Sequence, residues 1–572
     1  MSKVTKINQQ KDGVDLTPTP PQNKDNHLYY SYAYNIERTT KQYLDEIDAP
    51  TLEKMSPHDL ANELYLTTKK LIIQHDIFIK AQGENESKWS WPAILRINDY
   101  QIAQCMLKKE HIANISQTEN AHSNDQNLLG IYETDGREQG TYAVDNNALI
   151  AKINDYVSGL DTKAQKEVIA NLKANAPIIS KTVDPDLIPV NNGIFDYKHQ
   201  KLLEFDPKYC FLNKSHVNLV KNPENPVIQN QDGTLWNVHD WFDSLSDDEG
   251  VPELLWQVTG AVLRSNVNWN QAIFLYSSEG RNGKGTLCDL WRNLLGTGSY
   301  MTLPLNQMSN QFALEPLVNV NAIITDENDV GAYLDKAANL KALITGDPVT
   351  IDRKFKSTVT YEFSGIIIEC LNDVPQIKDK SDSLYRRQLF IPMNKSFKNN
   401  ENKDIKEKYL KRSDVLEYVM WYVLTQLPKY YKFSQPEATK QALIEYKQEN
   451  DPVEQFLATI IPECQWDGLP FTFLYDLYSK WYNRNMANTK RLSSTRFARS
   501  LKDKYRNGQV LYGFRLPSNE QCQFKTGNRL SKPEPLIATY SLVDWLNPNT
   551  TNPETRLQPV NLKEKYTGLV RA

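Results

Sequence analysis

Long apolar runs are missing from this chain of 572 residues. No stretch reaches the roughly 18–20 apolar residues a membrane-spanning helix requires, and runs such as Ile366–Ile368 are strand-sized. The opening MSKVTKINQQKDG carries no apolar leader, so a chain that stays in the cytoplasm is expected. Cysteine is sparse: six residues, at 105, 210, 288, 370, 464 and 522, with no Cys-x-x-Cys pair. That scatter argues against a disulfide framework and against a zinc ribbon. A dominant charge sign is also missing, since 66 basic residues against 70 acidic ones leave a net charge of −4. The overall balance therefore points to no polyanionic partner, and any basic field has to be local. Internal repeats with periods of roughly 20–50 residues are absent as well.

What is present has the make-up of a globular protein, 40% hydrophobic and 24% charged. At about 150 residues per domain the length predicts three or four units. Residues 1–27 are polar and proline-bearing, which predicts a disordered tail. Residues 28–87 read as helical, with Leu60, Leu64, Leu71 and Ile72 at helix spacing. An α+β domain is expected over 88–225: IYETDGREQGTYAV as two strands about a turn, NNALIAKINDYVSGL as an amphipathic helix, and IPVNNGIFDYKHQKLLEF as strand, turn, strand. A helical collar follows over 226–270, then alternating strands and helices over 271–395. Residues 396–450 read as a helical linker and lid, with 394–412 solvated. A last unit covers 451–547, and 548–572 reads as a polar tail.

The apolar strand AIFLY, residues 272–276, runs into SSEGRNGKGTLCDLWRNLLG. Strand, glycine-rich turn with lysine, then helix is the recipe for a phosphate cradle, because backbone N–H groups and the helix N-terminus face the anion. Gly280, Asn282, Gly283, Lys284, Gly285 and Thr286 are the expected ATP-binding residues, with Lys284 reaching the terminal phosphates. Ser278 stands where the usual first glycine would be, and Gly285 where a Ser or Thr hydroxyl usually ligates Mg²⁺. The metal is then expected to use Thr286, Asp326 or water.

Downstream, NAIITDEND ends a strand in Asp326 and Glu327. Asp326 suits a metal held through water, and Glu327 suits polarising the attacking water. GIIIECLNDVP ends in Asn372, a candidate holder of the lytic water. SLYRRQLFIP supplies Arg386 and Arg387, whose planar forks suit charge developing on a transferring phosphoryl group. GDPVTIDRKFKSTVTY reads as a hairpin with Arg353, Lys354 and Lys356 at its tip, able to read a nucleic-acid backbone, and Phe355 able to stack.

In the last unit SSTRFARSLKDKYRNG predicts a helix with Phe497, Leu501 and Tyr505 on the buried stripe. Arg499, Lys502 and Arg506 take the other face, and Ser493 or Ser494 takes the cap. QVLYGFRLPS and PLIATYSLV read as the two strands of a wing, so a winged helix on duplex DNA is expected. Residues 480–532 hold 13 basic and two acidic residues, a local balance of +11.

The order of these motifs resembles superfamily III helicases, nearest to the phage and poxvirus primase-helicase branch. The hairpin resembles that of the papillomavirus replicative helicase. The resemblance implies an AAA+-type P-loop core and a homo-oligomeric, hexameric ring. It also implies ATP and Mg²⁺ as cofactors, and 3′→5′ movement on single-stranded DNA in replication of a phage, plasmid or mobile island. Host replication proteins are possible further partners, and no membrane is involved. It assigns the DNA grip to Lys354 and Phe355, where the family more often has histidine second, and favours Arg387 as the arginine finger, ahead of Arg386. Related chains often carry a primase domain, but no pair of strand-borne carboxylates stands out in residues 1–250. Two readings of other kinds compete, a P-loop nucleotide kinase and a non-enzymatic DNA-binding replication regulator.

Overall fold

The computed structural model describes residues 31–81, 89–116, 127–277, 279–328, 333–334, 337–352, 358–372, 375–377, 382–398, 401–485, 491–523, 532–560, 562–563 and 565–572. The chain folds as a mixed α/β protein in two units interleaved in sequence. One takes 1–329, 336–372 and 393–436, the other 330–335, 373–392 and 437–572.

The first unit opens with helices α1 (Tyr32–Glu46) and α2 (Pro57–Ala81), the latter burying Leu60, Leu64, Leu71 and Ile72 as their spacing predicts. Helix α3 (Asp99–Lys109) starts in a capping box between Asn98 and Gln101. The buried Gln101 side chain then donates to Thr40 Oγ1 at 3.1 Å and Thr68 Oγ1 at 2.9 Å, tying three helices together. Strands β1 (Ile112–Ser116), β2 (Leu128–Tyr132) and β3 (Tyr142–Ala143) precede helices α4 (Asn146–Tyr156) and α5 (Thr162–Asn175). With β4 (Ile178–Ser180) they form a sheet in the order β3-β2-β1-β4. A separate meander joins β5 (Leu187–Val190), β6 (Gly193–Asp196) and β7 (Lys201–Leu203).

Helix α6 (Val238–Ser244) and the almost wholly buried α7 (Val251–Leu263) lead to the central sheet of this unit. It contains β8 (Ala272–Tyr276), β9 (Tyr300–Met301), β10 (Ala322–Thr325) and, further along the chain, β13 (Ile366–Leu371). These four strands run parallel in the order β9-β10-β13-β8. Their interiors are apolar on both faces apart from Thr325 and Glu369, as suits a parallel sheet covered on both sides. Helix α8 (Lys284–Leu295) follows β8 directly, and its Trp291 donates to Thr259 Oγ1 of α7 at 2.9 Å. Helix α9 (Ala338–Thr345) leads to the hairpin of β11 (Val349–Ile351) and β12 (Val359–Tyr361), antiparallel as the sequence suggests.

The 394–412 stretch departs from a solvated linker. It forms helix α10 (Lys403–Glu407) and a turn, Tyr409–Lys411, in which Tyr409 and Leu410 are buried. Asn293 of α8 donates to Leu410 O at 2.9 Å, so two apolar residues in a charged run pin it down. Helix α11 (Ser413–Trp421) then runs into a π-turn.

The second unit holds α12 (Glu437–Asn450), α13 (Pro452–Ile460), β14 (Gly468–Pro470), α14 (Phe471–Asn485) and α15 (Ser494–Lys504). Its remaining strands are β15 (Val510–Leu511), β16 (Phe514–Arg515), β17 (Gln521–Gln523) and β18 (Lys565–Arg571). Two expectations fail here. PLIATYSLV is no strand: Glu534 caps a short helix, Pro535–Thr539, and a 3₁₀ turn follows at Val543–Trp545. Proline at the first helical position suits that start, since its missing N–H is not needed there. The expected polar tail instead holds β18, which pairs with β14, β16 and β17 and buries Leu569. The core around it is aromatic, with Phe456, Phe473, Tyr478, Phe497 and Trp545 in one cluster.

Candidate functional site

The glycine-rich turn is closed by Gly283, whose φ of +87° forms the non-helical cap of α8. A side chain there meets both a left-handed backbone and Leu245, whose Cδ2 would stand 2.7 Å from the added Cβ. Arg281 also adopts a positive φ of 60°, and its carbonyl accepts from Phe397 N at 2.8 Å. Asn282 is buried and donates to Glu279 O at 2.6 Å, bracing the turn from inside. Gly280 is exposed, Gly285 and Thr286 are half-buried in the first turn of α8, and Ser278 lies outside the described residues.

Lys284 is 6% exposed, and its Nζ has no hydrogen-bond partner among the described residues. Burial pushes its pKa below the usual lysine range. A buried ammonium without an acceptor is costly. Beside the N–H groups of a helix N-terminus, it makes a setting chemically suited to an anion. The thiols of Cys288 and Cys370 lie next to each other at 3.4 Å. Cys370 titrates well above its ordinary value through that contact and its burial.

At the end of β10 Asp326 is gripped by Arg292 of α8, at 3.1 Å and 2.9 Å to its two oxygens. The hydrogen bond from Arg292 holds the Asp326 carboxyl below its ordinary pKa, against the opposing effect of burial. Each oxygen keeps a further lone pair for a metal-bound water. The Thr286 hydroxyl on α8 is the second oxygen that could serve a hard cation such as Mg²⁺. Glu327 is exposed beyond Asp326, and Asn372 is exposed directly after β13.

Three residues near these positions escape a reading of the sequence. Arg292 is one. Asn328 and Glu369 are the others: Asn328 Nδ2 donates to Glu369 Oε2 at 2.8 Å and to Cys370 O at 3.1 Å, stitching the loop after β10 to β13. Glu369 is fully buried, and burial raises its pKa well above the ordinary value despite hydrogen bonds from Asn328 and Thr325. A carboxylate inside an apolar strand run was the one available signal.

Arg353, Lys354, Phe355 and Lys356 lie outside the described residues; only the flanking strands β11 and β12 are described. In the second unit Arg386 is exposed, while Arg387 donates to Ser383 O at 2.6 Å and Ser383 Oγ at 2.8 Å. On α15 Phe497 and Leu501 are buried, Tyr505 is buried at its C-cap, and Ser493 provides the N-cap. Arg499 is exposed, Lys502 pairs with Glu520, and Arg506 pairs with Asp503 at 3.3 Å. Lys504 turns inward to Asp451 at 2.6 Å and to Glu454, so it is a structural cation. The strands β15 and β16 form a tight hairpin through Tyr512 and Gly513, both at positive φ.

Residues 448–526 match the family described as poxvirus D5 protein-like. The resemblance to the phage and poxvirus primase-helicase branch holds. Residues 275–387, which contain the glycine-rich turn, match a family of unknown function, DUF5906. A protein of Acanthamoeba polyphaga mimivirus described as "Putative helicase L207/L206" is 22% identical over 326 residues, 52% of this chain and 33% of that protein. The match thus spans about a third of that relative's length. Solved structures of the apo C-terminal region of NrS-1 align at TM-scores of 0.40 and 0.38, with 17% and 15% identity. They cover 64% and 70% of this chain and 81% and 85% of theirs.

Among the described residues no helix is long and apolar enough to cross a membrane. All six cysteines are free and buried.

Proposed function

We propose that this chain is an ATP-driven DNA helicase acting in replication initiation of a phage, plasmid or mobile island. The observation that carries the reading is the buried Lys284 amine, without a partner among the described residues, at the N-terminus of α8 and just after a parallel strand. That is a triphosphate cradle of the P-loop kind, here given to ATP with Mg²⁺. Gly280, Asn282, Gly283 and Gly285 shape the loop, Lys284 neutralises the terminal phosphates, and Thr286 and Asp326 are the metal-side oxygens. Bound Mg²⁺ would supply charge neutralisation across the phosphates. Glu327 orients and polarises the attacking water, and Asn372 holds it. Arg387 or Arg386 is offered to a neighbouring copy in a hexameric ring.

Arg353, Lys354, Phe355 and Lys356 are assigned to the single strand in the ring channel. The α14, α15 and β15-β16 arrangement is assigned as a winged helix that presents Arg499, Lys502 and Arg506 to origin duplex. The test is strand displacement on forked DNA, with polarity substrates and Lys284→Ala as control. The expected outcome is ATP-dependent 3′→5′ unwinding that the variant loses. Phosphoryl transfer to a nucleotide instead of DNA-stimulated phosphate release would make the chain a kinase. Unchanged unwinding by Lys284→Ala would discard the site.

A further inference from the structure

Helix α10 brings a second lysine to the phosphate loop. Lys406 Nζ lies 3.3 Å from Asp289 Oδ2, one turn beyond the loop on α8. A Cβ placed on Gly285 would stand 3.8 Å from that same Nζ. Gly285 is the position where the usual loop carries its metal-ligating hydroxyl. The ammonium therefore occupies the side of the loop toward which the missing side chain would project. Asp289 is held on its other oxygen by Arg292 at 3.2 Å, and Arg292 in turn grips Asp326. Asp326, Arg292, Asp289 and Lys406 thus form a row of alternating charge from the end of β10 to the loop. Lys406 keeps 49% of its side chain exposed, so its three donors are not used up by Asp289. The orphaned Lys284 amine in the same loop independently marks this as a place where an anion is wanted.

We propose that Lys406 contacts the phosphates of the bound nucleotide and is matched to Gly285. Where the usual loop meets phosphate oxygen through a hydroxyl and its metal, this chain presents a second fixed ammonium. The inference rests on the nucleotide reading of residues 280–286. It implies that polyphosphate binding here depends less on divalent metal than in a loop with the hydroxyl, and that ATP is favoured over ADP by charge.

The experiment is titration of the full chain with a fluorescent ATP analogue, in EDTA and in Mg²⁺. Wild type is expected to bind in both. Lys406→Ala should weaken binding in EDTA about tenfold, the size of one charge-assisted hydrogen bond, and less in Mg²⁺. Lys406→Arg should stay within about threefold. Adding Gly285→Ser to Lys406→Ala should restore binding only when Mg²⁺ is present. If Lys406→Ala shifts the melting curve, Lys406→Met keeps the aliphatic stem and replaces it in the comparison. Wild-type binding by the Lys406 variant in EDTA, alongside loss in Lys284→Ala, would overturn the proposal and leave Lys406 as an ion-pair partner only. Wild-type binding by Lys284→Ala would instead overturn the nucleotide reading itself.

Discussion

Glu369 is the residue whose chemistry depends most on its burial. Its folded-state pKa is raised above the ordinary 4.5. Between those two values the folded protein keeps a proton that the unfolded chain releases, so stability falls as pH rises through the window. Glutamine reproduces the neutral acid. Glu369→Gln is expected to match wild type near about pH 4 and to exceed its stability near about pH 8, read by denaturant unfolding at each pH. An equal gap at both pH values would mean that Glu369 is charged in the fold. Arg292 makes the opposite case, a cation shared by two carboxylates. Arg292→Ala should cost about 2 kcal/mol in the same assay, because Asp326 and Asp289 lose charge-assisted bonds. Such partners were invisible in the sequence: Arg292 stands 34 residues from Asp326, and Asn328 stands 41 from Glu369. Lys284, by contrast, announced itself through local spacing alone.

At the scale of elements, legibility followed how local the signal was. Strand β8 and helix α8 could be read because an apolar run, a glycine turn and an amphipathic period lie side by side. The hairpin β11-β12 and the buried stripe of α15 were legible for the same reason. PLIATYSLV misled because its apolar residues suit a strand equally well, and the decisive feature is the Glu534 cap ahead of Pro535. Strand β18 was missed because KYTGLVR is short, flanked by charge, and gains its role only from partners far upstream. Its weight is testable. Leu569→Ala, at a fully buried position, should destabilise the second unit by about 2–5 kcal/mol in chemical denaturation. A cost below about 0.5 kcal/mol would relegate β18 to an ornament of the sheet.

For the whole molecule, a net charge of −4 conceals a block of +11 over 480–532. The structure sorts that block. Lys504 is consumed by Asp451 and Glu454, whereas Arg499 and Arg506 are exposed. Replacing both arginines by alanine should lower the slope of log affinity against log salt for duplex DNA by about two. An unaltered slope would move the DNA contact elsewhere. Mass measurement with ATP, with and without forked DNA, is expected to give an oligomer, and a monomer under both conditions would remove the ring.

The interleaving of the two units also has a meaning in time. Phe390 packs on Tyr446 at 4.4 Å between ring centroids, yet residues 393–436 between them belong to the other unit. A ribosome making this protein delivers Phe390 well before its ring partner exists. The second unit therefore cannot finish folding until residues 393–436 of the first have been made and the residues from 437 onward have followed them.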